Sequence, residues 1–255
     1  MTTTARRGRP RRPAAPLGPA LVLTAHGSVD PRSAQTTQAV AGRIRRLRPW
    51  LDVRPAFLEK CAPGLGEVLG SVAAEGRSAV VVPMLLASAY HATVDIPGFI
   101  DDSPTAVAQA EVLGEDPALV RVLGQRLTES VVNPDDPHTA VVVTAVGSSN
   151  AAANARTATV AARLGAGTRW AGVTAAFATG PHPSVPDAVA RLRAEGARRV
   201  VIAPWFLAHG RITDRVAGFA RSEGIPMSAP LGSHNLVAAT LLDRYDSVLA
   251  CRAAA

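Results

Sequence analysis

The segment that decides the fold is residues 80–97, V-V-V-P-M-L-L-A-S-A-Y-H-A-T-V-D-I-P. Its continuous apolar run, residues 80–86, predicts a buried strand. His91 follows just past the carboxyl end of this strand, and Asp95 comes four residues later. In open α/β sheets, ligands bind in the crevice outside the carboxyl ends of the strands. The segment therefore predicts a parallel α/β sheet that carries a histidine at its functional edge.

Strand-like and helix-like stretches alternate on both sides of this segment, which predicts a parallel sheet with helices on both faces. Ser33 is the expected N-cap of the first helix. In the first half the predicted strands are 21–25, 51–58, 80–86 and 106–113, and the predicted helices are 33–47, 64–74 and 117–130. In the second half the strands are 140–146, 169–177 and 199–207, and the helices are 151–164, 186–194, 212–223 and 236–249.

The two halves are related in sequence. T-A-H-G-S (24–28) matches T-A-V-G-S (144–148), and V-V-V-P-M-L-L-A (80–87) matches V-I-A-P-W-F-L-A (201–208). A-F-L-E (56–59) and A-F-A-T (176–179) match at a similar spacing. A repeat of about 120 residues indicates a duplicated domain and not a solenoid.

The expected organisation is a disordered basic tail (1–19), an N-terminal lobe with the active site (20–132), a linker (133–138) and a C-terminal lobe without it (139–255). The linker, N-P-D-D-P-H, is rich in turn-forming residues. Five arginines between residues 6 and 12 carry most of the net charge of +7. A charge concentrated in a short head is usually a solvated extension, so no nucleic-acid partner is expected. No apolar run is long enough to span a membrane.

The duplication singles out three residues at strand ends of the first half. His26 is replaced by Val146 in the second half, Glu59 by Thr179, and His91 by Ile212. A folding requirement would tend to keep the same residue in both copies, so the loss favours chemistry confined to the N-terminal lobe.

Each of these residues also has a structural alternative. His26 could cap its loop, and Glu59 could be a surface carboxylate paired with Lys60. Asp95 could orient the His91 ring by accepting a hydrogen bond from it, or it could cap the helix beginning near Ile96. Three such residues at neighbouring strand ends nevertheless favour a common site.

The remaining histidines and the two cysteines are weaker candidates. His209, with Arg211, is expected to reach the interlobe cleft and to meet an anionic ligand. Cys61 and Cys251 are far apart and form no C-x-x-C pair, which argues against a disulfide scaffold or a metal cluster, so both are read as reduced thiols. The sequence has no P-loop, dinucleotide fingerprint or G-x-S-x-G elbow. The other histidines, which lie in loops and are expected to be exposed, are His138, His182 and His234.

Taken together, A-H-G-S (25–28), A-F-L-E (56–59) and V-P-M-L-L-A-S-A-Y-H-A-T-V-D-I-P (82–97) resemble the class II tetrapyrrole chelatases, in particular the sirohydrochlorin chelatases. The resemblance implies two flavodoxin-like lobes facing each other across a cleft. It also implies that His26 and His91 bind the metal and accept protons, and that Glu59 is the active-site glutamate. The chain has L-L-A-S-A-Y-H where the family commonly has F-L-x-x-G-x-H, so Ser88 and Tyr90 are expected to reshape the pocket wall.

The resemblance further implies a cytoplasmic lyase that inserts Fe²⁺ or Co²⁺ into sirohydrochlorin for sirohaem or cobalamin synthesis. The metal would be a transferred substrate, with no prosthetic group, and the protein would be a monomer or a weak homodimer. The residues expected to support the site or bind the substrate are Ser28, Tyr90, Asp95, His209 and Arg211, with Arg32 as a further carboxylate partner. The alternatives are a non-catalytic two-lobe metal or tetrapyrrole carrier and a chelatase for another porphyrin.

Overall fold

A computed structural model describes residues 18–88, 90–130 and 132–254, so most of the predicted basic tail lies outside the described residues. The first half forms a four-stranded parallel sheet in the order β2-β1-β3-β4. Its strands are β1 (Ala20–Ala25), β2 (Val53–Phe57), β3 (Ala79–Pro83) and β4 (Val107–Gln109). This is the flavodoxin-like winding, in which the strand order reverses between β1 and β3.

The second half repeats the centre of that sheet. Its three parallel strands lie in the order β6-β5-β7, which corresponds to β2-β1-β3 of the first half. They are β5 (Thr139–Ala145), β6 (Gly172–Phe177) and β7 (Arg199–Pro204). The predicted α/β architecture of two related parallel sheets flanked by helices is confirmed.

Helices connect the strands on both faces of each sheet. A five-residue π-helical turn, His91–Asp95, lies between β3 and the third helix. Among the described residues no helix combines the length and the hydropathy needed to cross a bilayer. The helices are α1 (Pro31–Leu47), α2 (Leu65–Ala74), α3 (Ile96–Asp101), α4 (Pro117–Glu129), α5 (Ala151–Gly165), α6 (Val185–Ala194), α7 (Arg211–Ser222) and α8 (Asn235–Ala254).

Strand β1 shows why the sheet is covered on both sides. Successive side chains of a strand point to opposite faces, and both faces of β1 are buried and, apart from Thr24, apolar. Leu21 and Leu23 belong to one core cluster with Ile44 of α1. Ala20 and Val22 belong to a separate cluster on the other face, which α2 covers. Each helix therefore buries its apolar stripe against one face of the same strand.

One helix of each half packs against the other half. The C-terminal helix α8 packs against α1 and β3 of the first half, whereas α4 packs against α5 and β7 of the second half. One hydrophobic cluster accordingly runs through both halves and includes Leu21, Leu123, Val141 and Leu241. In space, each sheet is therefore covered partly by a helix from the other half. The lobe boundaries predicted from the sequence, 20–132 and 139–255, stay a prediction.

Several local predictions are wrong, such as the strand over 106–113, of which only Val107–Gln109 forms β4. Helix α1 begins at Pro31, and the Asp30 side chain caps it by accepting a hydrogen bond from the Arg32 amide, so Ser33 is not the cap. Proline suits the first helical position because it has no N–H to satisfy.

Strand β3 ends at Pro83, since proline cannot donate to the ladder. His234 is half-buried and caps α8: its Nδ1 accepts a hydrogen bond from the Leu236 amide.

Candidate active site

The site lies where the strand order of the first sheet reverses. His26 directly follows β1, Glu59 lies two residues beyond β2, and His91 follows the loop after β3. The register pairs Ala25 with Phe57 across β1 and β2, so these strand ends lie side by side. The structure therefore brings the three predicted residues to one sheet edge, the edge at which ligands of such sheets bind.

Gly27 allows the first two loops to touch. A Cβ at this position would lie 1.8 Å from the Glu59 carbonyl oxygen, and Gly27 has a φ of +92°. The Glu59 amide donates a 3.0 Å hydrogen bond to the His26 carbonyl. Only glycine adopts this φ readily while tolerating so close a backbone. Gly27 thus fixes the distance between the loop of His26 and the loop of Glu59.

The His26 and His91 rings stand edge to face, with centroids 4.2 Å apart and an interplanar angle of 84°. The Nδ1 of His26 lies 3.0 Å from the Gly27 carbonyl oxygen and 3.3 Å from Glu59 Oε1. Both oxygens only accept, so Nδ1 carries the hydrogen of the neutral ring. The lone pair of His26 is therefore on Nε2, the nitrogen left to accept a proton or bind a metal ion.

His91 has the same arrangement with a different partner. Its Nδ1 lies 2.5 Å from Asp95 Oδ2, one turn further along the π-helical segment. A carboxylate that accepts from Nδ1–H fixes the ring tautomer and leaves the lone pair on Nε2. Asp95 makes no capping hydrogen bond to α3, so the capping alternative is wrong. The Gln109 side chain, from β4, holds the same turn by donating a 2.7 Å hydrogen bond to the Ala92 carbonyl.

Glu59 contacts both of its candidate partners. Its Oε1 accepts a 2.7 Å hydrogen bond from the Lys60 ammonium and lies 3.3 Å from His26 Nδ1. The hydrogen bond from Lys60 lowers the pKa of the Glu59 carboxyl, with smaller coulombic contributions from His26 and His91. Glu59 is thus ionised at neutral pH and positioned to stabilise a protonated His26.

A cavity of about 620 Å³ opens beside the two histidines and extends to the second half of the chain. This volume is in the usual range for small-molecule sites. Its apolar wall contains Val29, Leu85, Leu86, Val146, Phe177, Trp205 and Phe206. The ionisable residues among the described lining are all basic: His26, Lys60, His91, His209 and Arg211. An anionic ligand with a broad apolar surface fits such a lining.

The supporting residues predicted from the sequence lie in different places. Ser28, His209 and Arg211 line the cavity. Tyr90 is 65% exposed and stands beside His91, with ring centroids 6.3 Å apart, so it is not in the cavity wall as expected. Ser88 is also exposed.

In the second half, the residues equivalent to the site are not ionisable. Val146 and Ile212 line the far side of the same cavity. Thr179, which replaces Glu59, donates its hydroxyl hydrogen to the Val146 carbonyl 2.8 Å away. The second copy of the site therefore contributes wall surface and hydrogen bonds within its own loops.

Arg32 forms ion pairs with two carboxylates of the protein, those of Asp30 and Asp214. Its guanidinium makes a bidentate pair with Asp214 of α7, at 3.2 and 2.5 Å, and also binds Asp30. This pair crosses from the first half to the second. The expectation that Arg32 binds substrate is not supported, because its donors already have carboxylate partners.

Three residues of this region were not predicted from the sequence: Lys60 as a lining residue, Trp205 in the apolar wall and Asp214 as a partner of Arg32. Trp205 replaces Met84 in the repeat alignment, and Lys60 replaces Gly180. Both substitutions between the copies could have drawn attention to these positions. No local pattern could have revealed Asp214, since its partner is 182 residues away.

Within the described parts of the chain, no group of three or more His, Cys, Asp or Glu side chains has a geometry that would hold a metal ion. Two imidazoles form an incomplete ligand set.

Comparison with known proteins agrees with this geometry. A sirohydrochlorin cobaltochelatase of Priestia megaterium is 27% identical over 204 residues, which cover 77% of this chain and 66% of that relative, just under two thirds. A sirohydrochlorin ferrochelatase of the same organism is 26% identical over 206 residues, covering 77% and 76%. The solved structure of SirB from Bacillus subtilis with Fe³⁺ shares the fold, with a TM-score of 0.78 at 21% identity over 90% of this chain and 94% of that one. The CbiX family model matches residues 20–130 and 140–248, one match in each half. This chain belongs to the CbiX family.

Proposed function

We propose that this chain is a sirohydrochlorin chelatase, a lyase that inserts Fe²⁺ or Co²⁺ into the macrocycle with release of two protons. The observation that carries the proposal is the pair of edge-to-face imidazoles, His26 and His91, whose Nδ1 atoms are both held by acceptors. Each ring therefore presents one basic nitrogen, and both rings line the same cavity. The names of the two Priestia megaterium relatives support this substrate and both metals.

The chemistry requires that two pyrrole nitrogens lose their protons while the ion loses its water. Imidazole accepts protons near neutral pH and is a suitable ligand for borderline ions such as Fe²⁺ and Co²⁺. Glu59 lies within reach of His26, and Asp95 contacts His91. Each carboxylate stabilises the imidazolium that forms when its histidine takes a pyrrole proton.

The cavity provides the surfaces that this substrate needs. Aromatic and aliphatic side chains such as Trp205 and Phe206 pack against the faces of a flat macrocycle. Basic side chains of the lining pair with its peripheral carboxylates. His209 and Arg211 do so from the second half in this proposal, and Ser28 supports the loop of His26 on the opposite side.

The wider setting is part of the same proposal. The product would enter sirohaem or cobalamin synthesis, the metal would be a substrate and not a resident cofactor, and the protein would act in the cytoplasm. The reduced state of Cys61 and Cys251, which form no disulfide, is compatible with that compartment.

The test is an anaerobic assay in which purified protein, sirohydrochlorin and either Fe²⁺ or Co²⁺ are mixed and the absorbance change is followed. We expect insertion to be faster than the spontaneous reaction with at least one of the two metals. A rate equal to the spontaneous rate with both metals, together with tight macrocycle binding, would reject catalysis and support a carrier. Acceleration with another porphyrin and none with sirohydrochlorin would reject the substrate.

A further inference from the structure

The backbone at Lys60 has an unusual conformation. Its φ of 59° lies in the left-handed region, and it is the one residue other than glycine with a positive φ among those the structure describes. A lysine there usually reflects a constraint from its surroundings. This position is also occupied by the single lysine of the sequence.

The equivalent position of the second half is a glycine. The Glu59 amide donates to the His26 carbonyl at 3.0 Å, and the Thr179 amide donates to the Val146 carbonyl at 2.9 Å. The next residue is Lys60 in the first loop and Gly180, with a φ of 105°, in the second. A positive φ favours glycine at both positions, and the first half carries a lysine against that preference.

Lys60 is one of the residues that line the cavity, and its side chain is 50% exposed. The ammonium has one carboxylate partner, Glu59, at 2.7 Å. Exposed ion pairs of this kind contribute little, so a carboxylate of a bound ligand can take the place of Glu59. A lysine suits such an exchange because its ammonium is a compact charge on a flexible stem.

The position of Lys60 complements that of the other lining cation. Lys60 belongs to the loop after β2 in the first half, and Arg211 begins α7 in the second half. A macrocycle held in the cavity thus meets positive charge from both halves. Charges on two sides restrict its rotation more than a single charge would, because each peripheral carboxylate then has its own partner.

We propose that Lys60 is a substrate-positioning residue that binds a peripheral carboxylate of the macrocycle and sets its orientation towards His26 and His91. The inference rests on the proposed function, since it assumes that the ligand is a carboxylate-bearing tetrapyrrole. It adds a specificity determinant outside the histidines and the glutamate.

The test compares Lys60→Gly, Lys60→Arg and Arg121→Ala with the unaltered protein. Lys60→Gly removes the ammonium and introduces the residue that suits the backbone, so it should fold at least as well, as its melting temperature will show. Arg121→Ala removes one positive charge from the exposed surface of α4, away from the cavity, and controls for net charge. The readouts are the Kd for metal-free sirohydrochlorin, from quenching of tryptophan fluorescence, and the KM and kcat for insertion.

We expect Lys60→Gly to raise both Kd and KM about tenfold with little change in kcat, the size of effect expected from one charged hydrogen bond. Lys60→Arg should recover most of the affinity, and Arg121→Ala should match the unaltered protein. Added salt should raise the KM of the unaltered protein more steeply than that of Lys60→Gly.

Two results would overturn the inference while leaving the proposed function in place. One is an unchanged Kd and KM in Lys60→Gly. The other is a lower kcat with unchanged KM, which would place Lys60 in the chemical step through Glu59. Failure of the unaltered protein to bind sirohydrochlorin is a different outcome, and it would remove the proposed function and this inference with it.

Discussion

Asp95 accepts a hydrogen bond from His91 across one π-helical turn, with 2.5 Å between Asp95 Oδ2 and His91 Nδ1. The contact selects the ring tautomer and leaves Nε2 as the basic nitrogen. The pair is formed within a five-residue segment, so the neighbouring sequence alone places it. The other histidine has no such partner on its own loop, and its Nδ1 is held by a backbone carbonyl and by Glu59.

Asp95→Asn tests whether this contact supports the reaction. The amide can still accept a hydrogen bond, but it has no charge to stabilise a protonated His91. We expect kcat for metal insertion to fall about 10- to 100-fold, as is typical when the partner of a functional histidine is removed. Steady-state kinetics with both metals will measure it, and Asp101→Asn, at the end of α3, is the matched control. An unchanged kcat in Asp95→Asn would show that the carboxylate charge is dispensable.

Gly27→Ala tests the close approach between the two site loops. The new Cβ would lie 1.8 Å from the Glu59 carbonyl oxygen at a φ of +92°, so the loop of Glu59 must move. Gly147→Ala creates the same conflict in the second half, 1.7 Å from the Gly180 carbonyl oxygen. We expect both variants to lose stability and only Gly27→Ala to lose most of its activity per folded molecule.

Thermal melts and insertion assays on the same preparations separate these two effects. Equal losses of specific activity in the two variants would contradict confinement of the chemistry to the first half. A Gly27→Ala variant with normal activity would show that the spacing of the loops of His26 and Glu59 is not critical.

Asp30 predicts a pH dependence of stability. Its hydrogen bonds with the Arg32 side chain and amide lower the pKa of the Asp30 carboxyl to about 2, from an ordinary value of 3.8. A carboxyl group whose pKa is lower in the folded state than in the unfolded state stabilises the fold at pH values above its unfolded-state pKa. This stabilisation is lost as the pH falls towards the folded-state pKa. We expect the melting temperature to fall less steeply between pH 4 and about 2 in Asp30→Asn than in the unaltered protein. Identical pH profiles would contradict the ion pair.

Leu241→Ala tests the packing of α8 against the first half. Leu241 is fully buried in α8, in the cluster that both halves share. Its truncation should cost about 2–5 kcal/mol of unfolding free energy, and both halves should still unfold together. Urea titration followed by circular dichroism reports on both, because each half contributes helices. Two separate transitions would contradict a common core, and Arg252→Ala, on the exposed end of α8, serves as control.

Much of the fold could be predicted from local patterns. The buried strands, the helix periodicity and the internal repeat identified two related parallel sheets, because each depends on residues close in sequence or on a direct match between the halves. The packing of α4 and α8 against the opposite halves could not be predicted in this way. Which sheet each helix covers depends on how the two halves pack against each other, and that packing joins residues far apart in the sequence.

The ionisable residues of the site could also be predicted from the sequence, but the contacts between the two halves could not. His26, Glu59 and His91 could be placed at one sheet edge, because parallel strands bring their carboxyl ends together and the second copy lacks all three residues. Tyr90 was placed wrongly, since the direction of a side chain in a loop after a strand has no sequence signal. The interlobe pair of Arg32 and Asp214 depends on how the two halves dock, which no local pattern encodes.

The central claim is that the imidazoles of the first half carry out the reaction. The most direct measurement is the anaerobic rate of metal insertion into sirohydrochlorin by His26→Ala, His91→Ala and His209→Ala. We expect the first two variants to lose about 100-fold or more in kcat while still binding the macrocycle, and His209→Ala to lose much less. A large loss in His209→Ala with nearly normal rates in His26→Ala and His91→Ala would contradict the account.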